Sequence, residues 1–164
     1  MTSDAILFGW RQNRDYGLRL LEAVPEDRLV FQPTPDVNHP AWVFCHLGLY
    51  HPAILAMAEG RPVDDPGKHP DGPRYDEGST PIPDASLYPT KRDLLQQFTD
   101  AHDQAEQALR RTRDGLLLRP PGLERWGKAF GTTANALNYL MVHHEAVHLG
   151  QVSMWRRMQG MGCI

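Results

Sequence analysis

At 164 residues, with 41% apolar and 23% charged side chains, the chain is long enough to bury a hydrophobic core as one domain, residues 1–164, without staples. A net charge of -3 and lysines and arginines scattered along the chain argue against a nucleic-acid surface. Cys45 and Cys163 are too few for a disulfide framework or a cysteine-based zinc site. No basic leader with an apolar stretch opens the chain, and no run is read as reaching the ~18 uncharged apolar residues of a membrane helix. The expectation is a reduced, cytoplasmic protein.

Ser3 and Asp4 can start a first helix that Pro25 bounds, with Ile6, Trp10, Gly17, Leu20 and Val24 at helical spacing. Asn13 lies on that stripe and reads as a polar break near the helix surface. Residues 25–40 hold four prolines and read as an extended connection. Asn38 and His39 before Pro40 open a second helix, running to about Ala58 and closed by Gly60. Trp42, His46, Leu49 and Ala53 share one face of it, and Pro52 should kink it beyond Gly48.

Residues 60–89 carry four glycines and seven prolines, a long surface connection. Thr90 caps a third helix with Leu94, Phe98, Ala101, Ala105 and Ala108 or Leu109 on one stripe and His102 at its border, ending near Thr112. Residues 113–131 read as a second irregular connection. Thr132 or Thr133 begins a fourth helix that continues to about Gln159, where Gly160 stops it. With no alternating run convincing as a strand, the four amphipathic segments predict an all-α, four-helix bundle with long loops.

The fourth helix carries the chemistry. Leu137, Met141, His144, His148, Gln151, Trp155 and Met158 fall along one stripe, apolar at both ends and polar in the middle. His144 and His148 stand at i and i+4 and can converge on one ion. Two imidazoles on a core-facing stripe otherwise need hydrogen-bond partners for four ring nitrogens. His46, on the core face of the second helix, is the best third ligand, and three imidazoles leave a position open for water or substrate. Gln151, one turn beyond His148, is placed to support a ligand or a bound water.

His144-Glu145-Ala-Val-His148 also matches the zinc-protease pattern H-E-x-x-H. The extended pattern fails at Gln151 and Met154, and no Asp, Glu or His follows His148 to supply a third ligand. Glu145 is then a candidate general base at the edge of the site. Cys45 points away from His46 and reads as a buried structural cysteine.

The order Pro40-Ala-Trp-Val-Phe-Cys-His46-Leu, a long loop, and a terminal His144-Glu-Ala-Val-His148-Leu-Gly-Gln151 followed by Arg156-Arg157 resembles the DinB-like (DinB/YfiT) superfamily over nearly the whole chain. That resemblance implies an up-down-down-up bundle with one divalent metal held by His46, His144 and His148. Zinc or nickel come first as the ion, then iron or copper. Relatives include thiol-dependent S-transferases and isomerases and metal-dependent hydrolases, and homodimers are common among them. The expected function is therefore a metal-dependent S-transferase joining a low-molecular-weight thiol to a small electrophile. A hydrolase or a non-catalytic metal-binding stress-response protein is the alternative.

Overall fold

A computed structural model describes residues 2–35 and 37–164, and all regular structure among them is helical. Three long helices, α1 (Thr2–Glu22), α2 (Pro40–Glu59) and α3 (Lys91–Arg111), are followed by a composite α4. The composite runs without a break through Thr133–Asn138, Tyr139–His144 and Glu145–Met158. The predicted starts of α2, α3 and α4 are visible as hydrogen bonds, whereas α1 begins at Thr2 with Ser3 and Asp4 already inside the helix. His39 Nδ1 accepts the Trp42 amide at the start of α2, and Gly60 closes that helix with a left-handed φ of 71°. Thr90 Oγ1 accepts the Asp93 amide, and Thr132 Oγ1 accepts that of Asn135. α2 passes uninterrupted through Pro52. Pro52 and Gly48 both face outward, so the Gly48 carbonyl that loses its amide partner meets solvent rather than the core.

The two connections are more ordered than their composition predicts. Residues 113–131 contain short helices at Asp114–Leu117 and Glu124–Phe130, the second of which buries Trp126. The 60–89 segment holds single turns at Pro66–Lys68, Gly72–Tyr75 and Ala85–Leu87. It is tied to α2 by Trp42 Nε1, which donates to the Arg74 carbonyl at 3.0 Å, and by Tyr50 Oη, which donates to Asp76 at 2.6 Å.

α2 also corrects the membrane reading. Pro40–Glu59 carries no charge before its last residue and is apolar and long enough to cross a membrane by length and composition. Most of that window is buried inside the protein (67%), because α2 lies against α3 and α4 and is covered on most of its surface.

The core comes in two apolar clusters, each drawing on all four long helices. One joins Ile6 and Trp10 of α1 to the C-terminal halves of α2 and α3 and to Leu137 and Met141 of α4. The other joins Leu20 and Val24 to Val43, Phe44, Leu94, Phe98, Leu149, Val152 and Trp155. Near the boundary between them, on every helix, stand polar residues: Asn13 and Arg14, His46 and His51 on either side of it, His102, and His144 to His148.

At that level α4 departs from α geometry. Tyr139–His144 forms a π turn, whose i→i+5 bonding holds one residue more than an α turn. The side chains beyond it are displaced by about one helical position, or roughly 100°. The buried stripe therefore continues from Leu137 and Met141 through Glu145, Leu149 and Val152, rather than through His144, His148 and Gln151. Met158, at the end of the predicted stripe, is half exposed (50%).

Asn13 explains how the turn is held. Its Nδ2 donates to the carbonyls of Met141 (3.2 Å) and Val142 (3.0 Å), the kind of backbone acceptors that a widened turn leaves without a partner. Gly9, one α1 turn earlier, lets the backbones approach, since a Cβ there would lie 2.8 Å from a Val142 methyl. Replacing Asn13 by Ala is expected to lower stability by about 1–2 kcal/mol, as two acceptors lose their donor. A urea midpoint indistinguishable from that of the parent chain would refute this role for Asn13.

Candidate metal centre

His46 from α2 and His144 and His148 from α4 bring their ring nitrogens within 4.8 Å of one another. His46 is 3% exposed and stacks on Trp42 with ring planes 12° apart. Its Nδ1–H donates to the Tyr75 carbonyl at 2.5 Å, which leaves Nε2 as the bare lone pair. Likewise His148 Nδ1–H donates to Gln151 Oε1 at 3.1 Å, and that oxygen also accepts from Asn38 Nδ2 at 3.2 Å. Two of the three rings thus have their tautomer set by an oxygen behind them, the pattern that orients metal-ligating imidazoles. His46 Nε2 and His144 Nε2 lie 3.1 Å apart, close to the roughly 3.3 Å between nitrogens that share a tetrahedral zinc-type ion. The donor set fits a divalent transition metal.

Burial keeps all three rings neutral and able to act as ligands. It lowers His46, takes His148 down to about 4, and takes His144 down to about 3 with the neighbouring His148 and His46 adding to the effect. The nitrogens line an open cleft of about 530 Å³. Trp42, Trp126, Phe130 and Tyr139 supply apolar wall, and Asn38, Glu77 and Arg125 supply its polar groups. Arg125 is itself fixed by Asp65 at 2.6 Å.

A family model for the DinB superfamily matches residues 10–152, from the middle of α1 to beyond Gln151. The chain belongs to the DinB superfamily. A search of curated proteins finds no significant match. Within this DinB member the matched span includes the three histidines, Asn13 and the whole 60–89 connection.

Glu145 requires a correction. It was expected at the edge of the site as a general base, but the π turn carries it to the interior, where it is 1% exposed. There it faces His102, with Oε1 3.2 Å from His102 Nε2, and burial pushes its carboxyl well above the usual carboxylate range. His102 is also no boundary residue, being 1% exposed and stacked on Trp10 at 3.6 Å between ring centroids. Cys45, expected to be buried, is only partly so and lines a cleft on the far side of α2; its surroundings raise its thiol to about 12, which keeps it protonated.

Sequence reasoning missed two contributors to the centre. The Tyr75 carbonyl comes from the segment that composition marks only as loop, and a backbone acceptor leaves no sequence signal. Asn38 was read as a helix start, whereas its amide steadies Gln151. His143, next to His144, is exposed and lines the cleft without joining the triad.

Proposed function

We propose that this DinB member is a cytoplasmic, homodimeric metalloenzyme. It would be built as an up-down-down-up four-helix bundle in a single domain and would transfer a low-molecular-weight thiol to a small electrophile. The convergence of three imidazoles on a cleft with aromatic walls carries the reading. The topology is supported by the core clusters, in which the N-terminal ends of α1 and α4 keep company with the C-terminal ends of α2 and α3.

Held by His46, His144 and His148, a divalent ion, zinc or nickel before iron or copper, would supply Lewis acidity that lowers the pKa of a thiol. The chain's own groups do the rest. Tyr75 and Gln151 keep the Nδ1 protons of His46 and His148 turned away from the reacting thiol. Trp126, Phe130 and Tyr139 offer apolar faces for the carbon skeleton of an electrophile and exclude water from it. Arg125, at the polar rim, can bind a carboxylate on either reactant. The thiol sulfur then forms a bond to the electrophilic carbon, the leaving group departs with its electron pair, and the thiol proton passes to solvent.

The position of Glu145 favours thiol transfer over hydrolysis. In an H-E-x-x-H hydrolase the glutamate takes a proton from water, and here that carboxyl is turned away from the cleft. A thiol acidified by the ion needs no such base.

The test uses untagged protein with bacillithiol, mycothiol or glutathione and a chloronitroarene as electrophile. Conjugation that requires the metal and disappears in His148→Ala is the expected result. Conjugation that survives both chelation and His148→Ala refutes it. Ester hydrolysis without thiol would favour the hydrolase, and stoichiometric metal with no turnover a binding protein.

A further inference from the structure

The mechanism above leaves unused a cluster of buried polar side chains. His51 of α2, His102 of α3 and Glu145 of α4 lie at the level that separates the two apolar clusters, and their donor atoms are all within 4.8 Å of one another. They are 8%, 1% and 1% exposed. His102 Nδ1 is buried without a hydrogen-bond partner, and His102 Nε2 and Glu145 Oε1, 3.2 Å apart, have no partner but each other. Polar atoms left so short of partners are unusual in a protein interior.

We propose that His51, His102 and Glu145 form a second cation site, separate from the histidine triad, which takes a divalent first-row transition metal. Two imidazoles and one carboxylate are a donor set that such ions accept, and each ligand comes from a different helix. The distance between His102 Nε2 and Glu145 Oε1, 3.2 Å, again matches the spacing of two ligands on one ion. An ion there would satisfy His102 Nε2 and Glu145 Oε1 together, and any proton on the carboxyl passes to solvent as the ion arrives.

The charge balance and the approach route fit as well. Arg14 is the nearby cation and points its Nε into the interior without a partner, while its Nη2 pairs with Asp103 at 3.1 Å on the outer side. Arg14 is near enough to help lower His102, and the Asp103 carboxylate offsets part of its charge. Burial lowers His51 to about 4 and His102 to about 2, so both rings are neutral ligands near pH 7. His51 also lines a cleft of about 680 Å³ on the far side of α2, beside Pro52, Phe98 and Gln104, the side from which an ion would approach. Trp10 stacks on His102, and its Nε1 donates to the His102 carbonyl at 3.1 Å, holding the ring in place.

The experiment titrates Co²⁺ into chelator-treated, untagged full-length chain, following ligand-field absorption and metal content after desalting. About two ions per chain are expected for the parent, and about one for His102→Ala, Glu145→Gln and His148→Ala alike. The two sites should give different spectra, because one has three nitrogen donors and the other includes a carboxylate. Glu145→Gln keeps the size and hydrogen-bonding capacity of the side chain, so it guards against misfolding, and circular dichroism confirms the helical content of each variant. A single ion that Glu145→Gln removes and His148→Ala leaves would support the second site while overturning the triad. A parent that binds one ion, lost in His148→Ala and untouched in both His102→Ala and Glu145→Gln, overturns the second site alone.

Discussion

Replacing His46 by Ala is expected to weaken metal binding at the triad by at least about 100-fold. Loss of a group that merely orients a ligand costs 10–100-fold in affinity, and loss of the ligand itself should exceed that. The fold should survive. Trp42 still donates to the Arg74 carbonyl and Tyr50 to Asp76, so the 60–89 segment stays on α2 when the Tyr75 carbonyl loses its donor. The stability cost is about 1–3 kcal/mol, from one unpaired carbonyl and the emptied ring site beside Trp42. Competition against a chromophoric chelator measures the affinity. An unchanged dissociation constant would remove His46 from the ligand set.

The second large effect is acid lability of the metal-free protein, with His39 as a main source. His39 is fully buried, its Nδ1 accepts the Trp42 amide, and its Nε2–H donates to the Ile82 carbonyl. Protonation would place a hydrogen on Nδ1 against the amide it caps. Burial accordingly lowers His39 to about 4 from an ordinary 6.5. Below pH 6.5 the unfolded chain binds this proton and the folded chain does not, so stability falls as pH drops from 6.5 through 4. The depression is worth roughly 3 kcal/mol for this one ring. His51, lowered to about 4 by burial, adds to the loss in the same interval. Against a typical total stability of about 5–15 kcal/mol, unfolding should begin between pH 4 and 5. His39→Asn keeps an acceptor for the cap without a titrating ring and should shift the acid midpoint downward by circular dichroism. The same midpoint in both proteins would exonerate His39.

Much of this was readable from residue order because the signals were local. The start of α2 follows from His39-Pro40 and its end from Gly60, while Thr90 and Thr132 mark α3 and α4, and each acts within four residues. The three histidines could be singled out because neutral imidazoles on apolar faces need an explanation. The π turn was not legible. Nothing in Tyr139–His144 announces it, and the amide that steadies it belongs to Asn13, more than a hundred positions earlier. That omission produced the one misplaced residue of the site, since an ideal helix would leave Glu145 beside the cleft. The helical turns in the loops were hidden for a related reason. Pro and Gly mark where a chain can turn, and Trp126 is buried by tertiary contacts that composition does not encode.

Because of the π turn, neighbouring residues on one helical strip serve opposite rooms. His144 and His148 look out into the cleft, while Glu145 and Leu149 look into the interior. The peptide bond between His144 and Glu145 is thus a party wall. One stretch of backbone sets both the 3.1 Å between His144 Nε2 and His46 Nε2 and the 3.2 Å between Glu145 Oε1 and His102 Nε2. Neither side of the wall can be remodelled without moving the furniture on the other.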